Sequence, residues 1–147
     1  MNSETKIMNL LYRYGLCIDQ GRFDLAAALF KHGQIAMGEG HVISDAKQIA
    51  AMWHGMVRIY ECGTSRTRHI ITNPIIEIDE DFGVAQVLSC WTVIQQTPDF
   101  PLQVVASGRY EDDFHKIEGE WCFKQKRYLG IDLMGDMSAH ILGGAPS

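Results

Sequence analysis

The stretch Val84–Gln96 constrains the fold more than any other part of the chain, because both of its alternating faces are apolar. Val84, Leu88 and Ile94 fall on one face, and Val87, Trp91 and Val93 on the other. A strand of this kind needs cover on both sides. Helices are expected over one face and a second subunit over the other. Three more runs read as long strands: Thr67–Ile78, Leu102–His115 and Trp121–Leu133. Turn chemistry at Asp79–Gly83 and Lys116–Glu120 predicts hairpins between neighbours. Pro74 interrupts the first run and predicts a bend, a bulge or an edge position.

The region before these strands is helical in period. Ile7, Leu10, Leu11, Tyr14 and Ile18 make one apolar stripe of a helix over about 4–20, with Gly21 as its stop. A second stripe, Met8, Tyr12, Gly15 and Leu16, leads into Asp19. Asp24 is placed to cap a short helix from Leu25 to about Lys31. Gln34–Ser44, punctuated by glycines, reads as a weak strand or hairpin. Asp45 and Gln48 then have the spacing of a capping box. They open a third helix whose face carries Ile49, Met52, Trp53, Met56 and Tyr60. Three helices followed by a long antiparallel meander predict an α+β fold. A curved sheet wrapped around the helices would leave a blind, mostly apolar cavity suited to a small hydrophobic ligand.

Composition narrows the function. Thirteen basic against eighteen acidic residues give a net charge of −5 in 147 residues, and without a basic cluster nucleic acid is a poor partner. No apolar run reaches the roughly 18 residues of a membrane span, and the first six residues are too polar to open a secretory signal. The expectation is a cytoplasmic single domain over 1–147, with a core of about 5–135 and a frayed tail at 143–147. The four cysteines, Cys17, Cys62, Cys90 and Cys122, form no Cys-x-x-Cys pair and read as reduced thiols. His32, His41, His54, His115 and His140 show no metal-ligand spacing, and no glycine-rich loop opens a helix after a strand. Neither a metal nor a cofactor is expected.

Two residues call for a chemical explanation. Asp19 continues an apolar stripe and ends a helix, where the macrodipole disfavours a carboxylate by about 0.3–1 kcal/mol. Either it faces water, or a donor or cation meets it. His69 shares a strand face with Thr67, Ile71 and Asn73, opposite Arg68, Ile70 and Thr72. It reads as a packed histidine or as a base. A carboxylate bonded to Nδ1–H would fix its tautomer and leave Nε2 as a general base, a role typically contributing about 10²–10⁴-fold in rate. Arg109, Asp112 and Asp113 read as ion pairs on a strand surface.

Tyr12, Asp19, Gly21, Asp24-Leu25 and Phe30 form one recognisable constellation. Arg68 with Thr72-Asn73-Pro74 around His69 forms another, and Gly108-Arg109-Tyr110-Glu111-Asp112, Trp121 and Lys126-Arg127 complete the pattern. The chain resembles the SnoaL-like branch of the nuclear transport factor 2 superfamily over about 5–135. That branch includes scytalone dehydratase, lindane dehydrochlorinase, bile-acid dehydratase and relatives of aromatic-ring dioxygenase small subunits. The resemblance implies a cone-shaped α+β barrel, with Asp19 supporting His69 as the base of a lyase or isomerase. Tyr14, Trp53, Met56, Cys90, Tyr110 and Lys126 are the candidate substrate contacts. The resemblance is incomplete. Tyr14 stands where the dehydrochlorinase has a lysine, which favours dehydration over dehalogenation, and Lys126 stands where it has an arginine. Ile18 replaces a tyrosine of the scytalone enzyme, whose second histidine has no evident counterpart. A homodimer or homotrimer is expected, and a non-catalytic ligand-binding or subunit module is the alternative.

Overall fold

The computed structural model describes residues 1–38 and 40–142; the tail expected at 143–147 lies outside them. Helix α1, Ser3–Asp19, begins where Asn2 accepts a hydrogen bond from the Thr5 amide at 2.9 Å, a side-chain cap on an otherwise unpaired donor. It ends at Gln20 and the left-handed Gly21, with φ of 70°. Ile7, Leu11, Tyr14 and Ile18 are buried as the first stripe predicts. In the second stripe only Met8 and Gly15 are buried, while Tyr12 and Leu16 are half exposed.

Helix α2 is Phe23–Ala28, earlier and shorter than expected. Arg22 caps it without a side-chain bond, so Asp24 is no cap. It lies in the first turn, where a carboxylate still favours the dipole. Gln34–Ala36 (β1) and Val42–Ile43 (β2) form the small hairpin. Helix α3, Ala46–Met56, starts with the Asp45 carboxylate accepting from the Gln48 amide at 3.0 Å. It stops before Tyr60, whose hydroxyl instead donates to the Ala139 carbonyl.

The long strands are β3 (Thr67–Asp79), β4 (Val84–Thr97), β5 (Phe100–Ile117) and β6 (Glu120–Met134). They join the hairpin in a six-stranded sheet of order β2-β1-β6-β5-β4-β3, antiparallel except where β1 runs parallel to β6. Bulges bend strands and increase their twist, and this sheet has them in every long pair. The β3–β4 register slips between Thr72 and Ile75, around Asn73 (φ 54°) and Pro74. Edge position and bulge together explain how the proline is tolerated. Further slips at Val93/Ile94, around Gly108 and at Asp113/Phe114 accompany the curvature of the sheet around the helices.

Gly108 shows how closely the bent strands approach. A Cβ there would strike the Gly130 carbonyl oxygen and come within 2.6 Å of the Trp91 ring. Gly15 plays a similar part between α1 and β3, where a Cβ would lie 3.3 Å from His69 Cβ. That close crossing brings the end of α1 onto β3, the edge strand of the sheet. Away from the cavity the core is aromatic, with Phe123 packed 4.6 Å from Phe30 and 4.7 Å from Phe114 between ring centroids. Among the described residues no helix is long and apolar enough to cross a membrane.

Candidate active site

Asp19, the last residue of α1, meets the start of β3. Its Oδ1 accepts from His69 Nδ1 at 2.5 Å and from the Thr67 hydroxyl at 2.8 Å, while Oδ2 accepts from the His69 amide at 2.7 Å. Ser65 lies 2.5 Å from the Thr67 hydroxyl and donates to the Asp19 carbonyl at 3.3 Å. Three donors on one carboxylate offset the unfavourable helix end and the loss of water. Both side chains of the pair are largely buried, His69 at 8% and Asp19 at 13% exposure.

With Nδ1 donating to Asp19, His69 Nε2 is unprotonated in the neutral ring, and it makes no hydrogen bond among the described residues. The ring forms part of the wall of a cavity of about 600 Å³ inside the cone. The volume lies within the roughly 300–1,000 Å³ usual for small-molecule sites. Tyr14 of α1, Trp53 and Met56 of α3 and Tyr110 of β5 line this cavity. Trp91 and Tyr128 complete its aromatic wall. The Tyr14 and Tyr128 hydroxyls are 2.5 Å apart, and burial raises the pKa of Tyr14, Tyr110 and Tyr128 well above the usual phenol value. They therefore act as hydrogen-bond donors rather than phenolates.

Two expected contacts are corrected. Cys90 does not line the cavity. On β4 the odd-numbered residues Val87, Ser89, Trp91 and Val93 point inward, which leaves Cys90 on the outer face with Leu88. Lys126 points into the cone but is wholly buried beneath the tyrosines and does not reach the cavity. Its Nζ sits 3.3 Å from the Tyr110 ring centroid and 4.4 Å from that of Tyr14, and donates to Asp112 at 3.2 and 3.4 Å. Asp112 is accordingly buried, not a surface partner. It alternates in phase with Tyr110 and Phe114, and an extra β6 residue at Lys124 turns Lys126 inward to face it. Burial pushes Asp112 up to about 6 against the attraction of Lys126, and pulls Lys126 down to about 8. Arg109 and Asp113 do form surface pairs, with Asp132 and Arg127.

Sequence reasoning missed His140. It lies past β6 in the segment Met137–Leu142, which crosses the cavity beside α3. Its ring centroid is 6.2 Å from that of His69, and burial, with the His69 ring beside it, pulls its pKa down to about 4. The only sequence signal was a lone histidine after the last strand, without a spacing that ties it to His69. Among the described residues, no three His, Cys, Asp or Glu side chains converge as a metal site.

Solved structures share this architecture. A Mycobacterium tuberculosis protein of unknown function, Rv3472, is 25% identical with a TM-score of 0.70, over 88% of this chain and 71% of its own. A Novosphingobium aromaticivorans protein provisionally assigned as a scytalone dehydratase is 21% identical with a TM-score of 0.66, over 97% of this chain and 95% of its own. From the same organism, the β subunit of a provisionally assigned aromatic-ring-hydroxylating dioxygenase is 17% identical with a TM-score of 0.69, over 99% and 97%. No curated protein matches the sequence significantly. Structural neighbours with the nuclear transport factor 2-like, cystatin-like fold agree with the cone described above, and the SnoaL-like domain matches residues 1–127, so the chain belongs to the SnoaL-like family.

Proposed function

We propose that this protein is a cofactor-independent lyase, dehydratase-like in its chemistry, or an isomerase, acting on a small hydrophobic ring compound. The observation that carries the reading is the 2.5 Å Asp19–His69 contact at the wall of an aromatic-lined cavity. His69 Nε2 takes a proton from a ring carbon, and Asp19 orients the imidazole and stabilises the imidazolium that forms. In dehydration the electron pair of the broken C–H bond forms the double bond, the neighbouring C–O bond breaks, and the oxygen departs as water. The Tyr14–Tyr128 hydroxyl pair donates a hydrogen bond to the leaving oxygen, and the proton carried by His69 completes the departing water. In isomerisation the proton returns to a different carbon. The likeness to a provisionally assigned scytalone dehydratase supports the first reaction.

The test is a panel of bicyclic β-hydroxy ketones assayed for loss of water. Turnover by the wild type, with His69→Gln slowed by at least about 10²-fold at unchanged fold, supports the reading. Equal activity in the variant overturns it. The likeness to a dioxygenase β subunit favours one alternative, a non-catalytic ligand-binding or subunit module. Panel compounds that bind but are never converted would select that alternative. In either case we propose a homodimer or homotrimer through the outer sheet face, where Leu88, Val104 and Leu133 are exposed.

A further inference from the structure

His140 is built into the cavity. Its carbonyl accepts the Arg58 amide at 2.8 Å, and its amide donates to the Met137 carbonyl at 3.0 Å. The preceding Ala139 carbonyl accepts from Gln95 Nε2 at 2.9 Å and from the Tyr60 hydroxyl. Gln95 Nε2 also donates to the Ser65 carbonyl at 3.0 Å, so a single buried amide joins the His140 segment to the residues that clamp Asp19. An isolated bridge between Val57 and Ile141 fixes the far side of the segment against the end of α3. The backbone around His140 is thus held from both ends, and its side chain lies beside His69, at only 6% exposure.

Its two ring nitrogens differ. Nδ1 is buried and has no hydrogen-bond partner among the described residues. Among the described residues Nε2 has no hydrogen-bond partner either, but unlike Nδ1 it is not fully buried, and His140 lines the cavity. A neutral imidazole has one N–H and one lone pair. Placing the proton on Nδ1 would bury an unsatisfied donor, which costs about 1–3 kcal/mol. Placing it on Nε2 directs the donor to the place where a ligand can accept it. His69 has the opposite tautomer, because Asp19 holds its proton on Nδ1. The cavity wall therefore carries a lone pair on one histidine and an N–H on its neighbour.

We infer that His140 is a second catalytic residue, whose Nε2–H donates a hydrogen bond to a substrate carbonyl oxygen adjoining the carbon that His69 deprotonates. The inference rests on the lyase or isomerase reading and narrows its substrates to ring compounds with a C–H acidified by a neighbouring carbonyl. As the proton moves to His69, the electron pair of the C–H bond becomes the enolate and its charge collects on that oxygen. A neutral donor aimed there strengthens its bond as the charge grows. The lowered pKa, about 4, keeps the ring neutral across the ordinary working range, and neutrality suits the site because a second cation would oppose formation of the His69 imidazolium. A neutral imidazole can act as an electrophile in this way.

The probe is 2-tetralone, a bicyclic ketone with exchangeable α-protons. On ¹⁵N-labelled full-length protein, His140 is expected in the Nε2–H tautomer, with its Nε2 resonance moving on titration with 2-tetralone. Exchange of the α-protons with D₂O should slow by about tenfold or more in His140→Phe and by less than about threefold in His140→Gln, whose amide restores a donor. A Nδ1–H tautomer, an unmoved Nε2 resonance, or wild-type exchange in His140→Phe would overturn the inference. Thermal melts of both variants establish that the fold is retained. Exchange that depends on His69 but ignores His140 removes this inference and leaves the base in place, whereas exchange that ignores His69 removes the lyase reading itself.

Discussion

Replacing Lys126 by methionine tests what supports the tyrosine wall of the cavity. Lys126 and Asp112 are both fully buried, 3.2 Å apart at the closest pair of atoms, with Nζ held over the Tyr110 ring. Burial opposes both charges, raising Asp112 to about 6 and lowering Lys126 to about 8, and their mutual attraction holds the pair together. Removing one partner leaves an uncompensated buried carboxyl, a loss of about 3–5 kcal/mol. Replacing both by apolar side chains of similar volume removes the charge problem, and such replacements are often neutral or stabilising. Lys126→Met should therefore destabilise by about 3–5 kcal/mol at neutral pH, and Lys126→Met with Asp112→Leu should recover to within about 1 kcal/mol of wild type. The pH dependence has a definite sign. A carboxyl raised in the folded state contributes stability below its unfolded pKa and loses it as pH rises through the folded value. Without the lysine that value moves higher, so the loss should be largest near pH 7 and shrink toward about pH 4. Urea unfolding at both pH values, with m unchanged, measures it. A single-variant loss under about 1 kcal/mol at pH 7, or a double variant no better than the single one, would refute the reasoning.

Four further outcomes follow. The folded His140 pKa is depressed from 6.5 to about 4, so its contribution is present above about pH 6.5 and lost as pH falls through 4. Denaturant unfolding should show the stability difference between wild type and His140→Gln changing by roughly 3 kcal/mol over that window. Thr67→Val removes the 2.8 Å donor to Asp19, a charge-assisted bond worth about 1.5–3 kcal/mol; α-proton exchange of 2-tetralone should fall about tenfold while the melting temperature drops only a few degrees. Gly108→Ala places a methyl against the Trp91 ring and the Gly130 carbonyl, and should cost about 1–3 kcal/mol or more in thermal melts. Val104→Lys puts a charge on the exposed outer face, and sedimentation should show an oligomer shifted toward monomer.

Much of the fold was legible because its periods are regular. The 3.6-residue stripe of α1, the Asp45 cap and the four strand runs rest on local chemistry, and the strands begin and end within a few residues of expectation. Asp19 and His69 were conspicuous for one reason, that each placed a polar group on a face with no local partner. Reading failed where phase or distance changed. Alternation counted along β4 already places Cys90 opposite Trp91, on the outer face, and so away from the cavity. The bulge at Lys124 is invisible in the sequence, and it is this extra residue that turns Lys126 toward Asp112. Tyr12 and Leu16 look like stripe residues but are exposed, whereas Met8 and Gly15 of the same stripe are buried. His140 lies 71 positions from His69 in sequence, and nothing short of the folded sheet brings the two rings together.

The central claim is that Asp19-oriented His69 removes a proton from a carbon acid held in the cavity. The most direct measurement is the rate at which the wild type and His69→Gln exchange the α-protons of 2-tetralone with D₂O, followed by proton NMR. Wild-type exchange should run well above the buffer rate and fall by about 10²–10⁴-fold in the variant, with the melting temperature preserved. Exchange at the buffer rate in the wild type, or the same accelerated rate in both proteins, would contradict it.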